Sequence, residues 1–543
     1  MASSGSYKYL YERLGPDRFQ QLCAALVVQN FEDVAVFPVR EKDGGRDAVS
    51  GTGENRTILQ VKWTGTRDKK PASWLKSQVK CEADNIRRLV NEGCKRYILM
   101  TNLEGSATPG SGTRDQLEDE LSELSKTYGV QMSCLWASEL DAWVDLAPFE
   151  LKATYVDMLA GTDALIALLG SDVLHDREKR ERNILLTYVA THWDRDKRVK
   201  FRQVELTSEL LTDLFVDVPA RRVSNSQIPP LSAADLNHVT KHLLNPISSP
   251  RTLIEGDPGQ GKSTVAQYIC QVHRAQFISR QKLADSNEFL PVDETEDLRL
   301  AIRIDLTDYA EWIGGHDPLS ASDTPQKKIK RHGHIGLELF LVDHLGAGAP
   351  GHDIQLADVE NILDRFATYV VLDGLDEVAS SSVRTKVVRA IDQFTTRWVQ
   401  ARPGNMRIVV TTRPNGSGLP EPASDIFEKL VLQPLDETTK KRYLRRWAAA
   451  QRIYGSELRT LERVFGERTA APHVAQLADN PMQLTILLHL IRTKGESLPT
   501  ERTSLYRSYM DLFLEREAIK SKIVLQNRAD LEEATSYPGP RRC

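Results

Sequence analysis

Gly256-Asp257-Pro258-Gly259-Gln260-Gly261-Lys262-Ser263 fits the pattern G-x-x-x-x-G-K-[ST] without a gap. A short apolar stretch, Arg251-Thr252-Leu253-Ile254-Glu255, precedes it and reads as a strand. Thr264-Val265-Ala266-Gln267-Tyr268-Ile269 follows and reads as a helix. Strand, glycine loop and helix are the context in which this pattern binds phosphate. Glycines let successive backbone N–H groups curl around phosphate oxygens, and the helix N-terminus adds the positive end of its dipole. Lys262 is expected to reach the β- and γ-phosphates and Ser263 to ligate Mg²⁺, with Thr264 at the start of the helix completing the contacts.

A second stretch supports the first. Tyr369-Val370-Val371-Leu372-Asp373-Gly374-Leu375-Asp376-Glu377 is an apolar run ending in acids, the signature of a central parallel strand. Ligands of open α/β sheets sit at the C-terminal edge of such strands. Asp373 is therefore expected to hold Mg²⁺, directly or through water. Glu377 is placed to polarise the attacking water, with Asp376 beside it. Leu300-Ala301-Ile302-Arg303-Ile304-Asp305-Leu306 reads as a buried strand, and Arg407-Ile408-Val409-Val410-Thr411-Thr412 as another. The latter ends at Arg413, where a basic group can sense the γ-phosphate. Lys429-Leu430-Val431-Leu432 suits a last strand, and residues 314–355 read partly as loop.

Asp373-Gly374-Leu375-Asp376-Glu377 after its strand, with Thr411-Thr412-Arg413-Pro414 on the next, resembles the NACHT branch of the STAND ATPases. The resemblance implies a five-stranded parallel sheet in the order 5-1-4-3-2, ATP as the nucleotide, slow turnover and nucleotide-driven oligomerisation. Residues 304–312, together with the N-terminal region, are similar to bacterial antiviral STAND proteins, which combine a nuclease effector, a NACHT switch and a C-terminal sensor.

That N-terminal region, residues 1–160, reads as a small α/β unit. A helix over 19–28 and a strand over 34–39 are followed by the polar turn Glu41-Lys42-Asp43-Gly44-Gly45-Arg46-Asp47. Thr57-Ile58-Leu59-Gln60-Val61-Lys62-Trp63 is the next strand. A helix over 73–90, a strand over 96–101, a helix over 116–128 and a strand over 130–135 complete it. Strand alternation puts Gln60 and Lys62 on one face and Val61 on the other. A carboxylate and a nearby carbonyl can hold Mg²⁺ while a lysine orients or deprotonates the attacking water. Asp47, Gln60 and Lys62 resemble the PD-(D/E)xK nucleases, in particular the Mrr-like restriction endonucleases, over about 110 residues. The resemblance implies metal-dependent cleavage of double-stranded DNA, with Asp47 as metal ligand. Two positions depart from the wider pattern: Gln60 stands where many relatives carry a carboxylate, and Gln20 where Mrr-like proteins often carry Glu. Asp43 or Glu41 is a possible substitute. The bland reading makes Asp43 and Asp47 turn residues and Lys62 a solvated strand end. Lys76, Lys80, Arg87 and Arg88 are phosphate contacts or simply a solvated helix face. Trp136 and residues 140–144 read as packing at a domain edge.

The 543 residues, 41% hydrophobic and 27% charged, describe an ordinary globular chain of several domains. The boundaries read as 1–160, 161–245, 246–435 and 436–543. The net charge of −4 neither requires nor excludes nucleic acid, because a local basic groove can hide in it. No apolar run approaches the roughly 20 residues of a membrane span, and the N-terminus has no secretory pattern. Six cysteines without C-x-x-C spacing suit a reducing cytoplasm. Residues 161–245 read as a charged helical connector without chemistry, with a helix over 232–244 capped by Ser232. Residues 437–450, 456–465, 474–477 and 481–493 read as helices that lid the nucleotide, with Pro481 in a first turn and Asn480-Pro481-Met482-Gln483-Leu484, then Leu505-Tyr506, resembling the subdomain that follows a NACHT core. The chain stops at Cys543, where relatives continue into sensor repeats. It is expected to be a truncation or to work with a separate sensor.

The combined expectation is an ATP-gated DNA endonuclease of bacterial antiphage defence. ATP–Mg²⁺ assembles a homo-oligomer that activates the nuclease, in response to a phage protein or separate sensor, without membrane involvement. The alternative is a regulatory STAND ATPase whose nuclease fold is catalytically dead and binds DNA or protein.

Overall fold

The computed structural model describes residues 8–39, 46–52, 55–65, 70–106, 108, 112–170, 176–198, 209–223, 235–280, 295, 297–319, 336–378, 380–401, 404–414, 418–423, 425–495, 501, 504 and 507–508. Glu41, Asp43, Ser232, Leu505, Tyr506 and the C-terminal stretch to Cys543 lie outside them. The chain divides into two compact units. The first is Met1–Asn183 with Asp364–Ala367, and the second is Ile184–Leu363 with Thr368–Cys543.

In the first unit, helix Gly15–Asn30 buries Phe19, Leu22, Cys23, Leu26 and Val27, the i, i+3, i+4, i+7, i+8 stripe of a half-buried helix. Five strands form one sheet in chain order: β1 (Val34–Val36), β2 (Ala48–Ser50), β3 (Arg56–Lys62), β4 (Cys94–Thr101) and β5 (Gln131–Leu135). β1, β2 and β3 pair antiparallel, whereas β3, β4 and β5 pair parallel. Ile58, Tyr97 and Leu99 pack on Leu75, Val79, Ile86, Leu117 and Leu121 from the helices on that face.

Two local expectations change. The strand over 34–39 stops at Val36, and Ala48–Ser50 forms a further strand, β2. The single helix expected over 73–90 is two helices, Pro71–Cys81 and Ala83–Asn91, with the break at Glu82 (φ −94°, ψ 7°). Asp364–Ala367 is held in this unit by buried Arg365, which donates to Glu181 Oε2 at 2.6 Å and Val156 O at 2.7 Å.

The second unit is built on a seven-stranded sheet. Its strands are β6 (Ala220–Val223), β7 (Asp235–Leu236), β8 (Arg251–Glu255), β9 (Leu300–Asp305), β10 (Thr368–Asp373), β11 (Met406–Thr412) and β12 (Glu428–Leu432). They lie in the order β7-β6-β12-β8-β11-β10-β9. Counted from β8 as the first, the five parallel strands run 5-1-4-3-2. Every residue of β10 and β11 is buried, as strands covered on both faces must be.

β6 and β7 extend the sheet antiparallel, and they come from the stretch that reads in sequence as a helical connector. Where a helix was expected over 232–244, Asp235–Leu236 is strand and only Val239–Leu244 is helix. The helix takes its cap from outside its own segment, Asp217 Oδ1 accepting from Thr240 N–H at 3.0 Å. The C-terminal helices Glu437–Ala450, Gly455–Thr469, Pro472–Ala478 and Pro481–Lys494 share one continuous apolar core with this sheet, through Trp447, Leu461, Leu484 and Leu487.

Candidate functional site

The loop between β8 and helix Lys262–Arg280 carries Gly259 at φ +81° and Gly261 at φ +93°, backbone conformations that side chains resist. Lys262 Nζ donates to Gly256 O at 2.7 Å and Asp257 O at 3.3 Å, so the ammonium lies at the loop. Burial lowers the Lys262 pKa, with Arg413 adding to the effect and Asp376 and Asp373 opposing it. Gln260 Oε1 accepts from Asp257 N–H at 2.6 Å and braces the turn.

Asp373 ends β10 and is 4% exposed. Its Oδ1 accepts from Ser263 Oγ at 3.1 Å and from Thr411 Oγ1 at 2.6 Å. The loop hydroxyl and the strand-end carboxylate are thus adjacent, the donor pair that Mg²⁺ takes in such a site, and the residues present fit the ion. Asp373 Oδ2 accepts from Arg303 Nη2 of β9 at 2.7 Å. Arg413 pairs with Asp376, its Nε 2.7 Å from Oδ2, and Glu377 Oε2 accepts from Thr307 Oγ1 at 3.4 Å. The sequence reading assigned Arg303, Thr307 and Thr411 no role at this site. Arg303 carries a legible signal, a lone cation inside an apolar strand.

An apolar cleft opens against the loop. Leu211, Leu214, Phe215, Val216 and Val218 line one side, Gly259, Gly261, Thr264 and Val265 the base, and Tyr443, Pro481, Met482 and Thr485 the other side. The sequence reading found no chemistry in the connector; the structure places its Leu211, Leu214, Phe215, Val216 and Val218 in a wall of this cleft. The C-terminal helix Pro481–Lys494 is tied to the loop directly. Asn480 Oδ1 caps the helix by accepting from Met482 and Gln483 N–H, while its Nδ2 donates to Pro258 O at 2.9 Å. Met482 N–H also donates to Gly259 O at 3.2 Å.

Residues 251–451 match the NACHT domain. They form a NACHT-type nucleotide-binding domain. The match takes in the loop, Asp373, Arg413 and helix Glu437–Ala450, and the five-stranded sheet β1–β5 lies outside it. No curated protein matches the chain. Among solved structures, one match is C. elegans PCH-2, at 11% identity over 65% of this chain and 73% of that chain, with a TM-score of 0.24. No helix among the described residues is long and apolar enough to cross a membrane.

Outside the NACHT domain, the structure brings Asp47, Gln60 and Lys62 together. β2–β3 pairing places Asp47: its N–H donates to Leu59 O at 3.1 Å, and its Oδ2 accepts from Val61 N–H at 2.7 Å. Gln60 Oε1 accepts from Tyr97 OH, and Gln60 Nε2 donates to Glu82 Oε1 at 3.3 Å. Lys62 Nζ donates to the same Glu82 Oε1 at 2.9 Å, and Asn85 Nδ2 to Glu82 Oε2 at 2.7 Å. Burial alone would raise the Glu82 pKa, but the bonds from Asn85, Lys62 and Gln60 outweigh it and hold it below the usual range.

Glu82, with its neighbours Tyr97 and Asn85, is what sequence reasoning missed in this cluster. It sits at a break inside a stretch whose periodicity reads as one helix. No group of three or more His, Cys, Asp or Glu that could hold a metal gathers among the described residues. A cation at Asp47 would therefore need backbone carbonyl, water or phosphate oxygens as well. Lys76 pairs with Glu120, Arg87 with Asp84 and Arg88 with Glu92, the pattern of a solvated face. Trp136, Leu140 and Val144 are buried.

Proposed function

We propose that the chain is an ATP-dependent switch whose NACHT domain binds and hydrolyses ATP with Mg²⁺ and gates a DNA-cutting N-terminal domain. The observation that carries the nucleotide reading is the 3.1 Å bond from Ser263 Oγ to Asp373 Oδ1, which joins the phosphate loop to the acidic strand end. The backbone N–H groups of residues 256–263 cradle the phosphates, and Lys262 neutralises the β- and γ-oxygens. Ser263 and Asp373 hold the Mg²⁺, which supplies charge neutralisation of the transferring phosphoryl group. Glu377 orients the attacking water, and Arg413, released from Asp376, reads the γ-phosphate. The base lies in the apolar cleft, between residues 211–218 and the helix that begins at Pro481. Gly256, Asp257, Pro258, Gly259, Gln260, Gly261 and Thr264 complete the contacts.

In the N-terminal domain, Asp47 serves as metal ligand, Gln60 orients a ligand or water, and Lys62 activates the attacking water against double-stranded DNA. ATP-dependent self-association brings these domains together in the cytoplasm, in bacterial antiphage defence, in response to a phage protein or a separate sensor. A second reading has a specific observation behind it: Lys62 and Gln60 both bind Glu82, and that arrangement also suits a catalytically dead fold that docks DNA or protein.

Plasmid cleavage with Mg²⁺, with and without ATP, separates the two for wild type, Lys62→Ala and Lys262→Ala. Cleavage lost in both variants supports a nucleotide-gated nuclease. Loss only in Lys62→Ala removes the gating. ATP-dependent oligomerisation without cleavage by wild type favours the dead fold.

A further inference from the structure

The carboxylate expected to meet the cation already has a cationic partner. Asp373 Oδ2 accepts from Arg303 Nη2 at 2.7 Å, and the Arg303 side chain is 8% exposed. The same Nη2 donates to Asp305 Oδ1 at 2.8 Å. Arg303 Nη1 stands 3.8 Å from Asp196 Oδ1, a distance at which an ion pair is loose. Asp196 is the last residue of helix Asp176–Asp196, and its Oδ2 accepts from Nη1 of fully buried Arg274 at 2.8 Å.

Two features leave room for a different pairing. Arg303 Nε is buried without a hydrogen-bond partner, so one arm of the fork is unused. Three carboxylates, Asp373, Asp305 and Asp196, surround the one guanidinium of Arg303, so it can exchange partners without leaving negative surroundings. A divalent cation between Ser263 and Asp373 would place like charge beside the guanidinium and weaken its hold on Asp373.

We propose that Arg303 is a positioning residue that acts as the resident counter-ion of Asp373 and reports divalent-cation occupancy to Asp196. When Mg²⁺ and nucleotide occupy the loop, Arg303 gives up Asp373 and closes on Asp196. That draws the end of helix Asp176–Asp196 onto helix Lys262–Arg280, where Gln267 Nε2 already donates to Asp196 O at 2.5 Å and Gln271 Nε2 to Trp193 O at 3.0 Å. The inference rests on the reading of residues 256–263 and Asp373 as a metal–nucleotide site.

The test uses the full chain and two readouts besides turnover. The first is amide hydrogen exchange over residues 184–198 with a non-hydrolysable ATP analogue, in Mg²⁺ and in chelator. The second is the Mg²⁺ midpoint for binding of a fluorescent ATP analogue. Wild type is expected to gain at least about 5-fold protection on Mg²⁺ addition, because tightening a charged contact by about 1 kcal/mol slows local opening by that factor. Arg303→Met and Asp196→Asn lose this gain. Arg303→Met also lowers the Mg²⁺ midpoint severalfold, since a competing cation is gone. Arg303→Lys, which keeps the charge without the fork, keeps the midpoint nearer wild type.

Equal Mg²⁺-dependent protection in wild type and Asp196→Asn overturns the proposal, as does a raised midpoint in a folded Arg303→Met. A purely structural Arg303 would shift melting without moving the midpoint downward. If wild type binds no nucleotide, or Lys262→Ala binds it as well as wild type does, the underlying site reading fails, and that result is read directly from the binding curve.

Discussion

Gly259→Ala separates the phosphate loop from the helix that covers it. Gly259 sits at φ +81°, and a Cβ built there would lie 2.8 Å from Asn480 Oδ1 and 2.8 Å from Met482 Cβ. The left-handed backbone alone costs an alanine about 1 kcal/mol. The clash is added to that, because Met482 Cβ belongs to the first turn of helix Pro481–Lys494 and cannot rotate away. To relieve it the helix must withdraw, losing the bonds from Asn480 Nδ2 to Pro258 O and from Met482 N–H to Gly259 O, at about 1 kcal/mol each. The backbone strain is the same whether or not the helix is docked, so docking itself loses about 2 kcal/mol, roughly a thirtyfold shift toward an undocked C-terminal helix.

Gly261→Ala is the control. Gly261 also has positive φ, +93°, but a Cβ there meets nothing within 4 Å. It carries the backbone strain without the clash. Limited proteolysis of the 471–495 segment and urea unfolding should therefore distinguish the two: Gly259→Ala becomes protease-sensitive there, and Gly261→Ala does not. Equal sensitivity of the two variants, or none in Gly259→Ala, would refute the claim that the helix is docked through the loop.

Acid should destabilise the second unit through its buried histidines. Burial pushes His192 down to about 4, and His273 and His344 to about 3, from 6.5. Their stabilising effect is therefore complete above about pH 6.5 and is lost as pH falls toward the folded values, because the unfolded chain takes up the protons first. Each contributes about 2 kcal/mol of loss between about pH 7 and about pH 5. His344→Gln should lose about that much less than wild type in paired urea titrations, and identical losses would show that His344 is not held neutral. Glu82→Ala leaves Lys62 and Gln60 without their shared acceptor and should lower the stability of the first unit by about 2 kcal/mol, with an unchanged denaturation midpoint counting against the cluster. Phe215 lines the cleft and stacks on Tyr268 at 3.7 Å between ring centroids, 8° from parallel. Phe215→Ala should cost about 3 kcal/mol of stability and weaken ATP binding at least about tenfold in calorimetry. Undiminished affinity would place the base elsewhere.

What the sequence determined by itself was the strongest of the patterns written in contiguous residues. The loop 256–263, the apolar strand ending at Asp373 and the helical stripe of Phe19, Leu22, Cys23, Leu26 and Val27 are local patterns, set by backbone periodicity and glycine conformation. Asp47, Gln60 and Lys62 could be put forward as a candidate group because they lie close together in sequence, two of them on one strand. The tertiary structure alone decided which charges meet. Glu82 reaches Lys62 across 20 residues, and Arg303 reaches Asp373 across 70, because parallel pairing sets Asp305 opposite Asp373 and Arg303 opposite Val371. The same holds for the connector: residues 211–218 become a wall of the cleft, and β6 and β7 become sheet, because β12 offers an unpaired edge that only exists once the five parallel strands are assembled. Periodicity reports which face of an element is buried, but not what is buried against it, and the chemistry of a site depends on the latter.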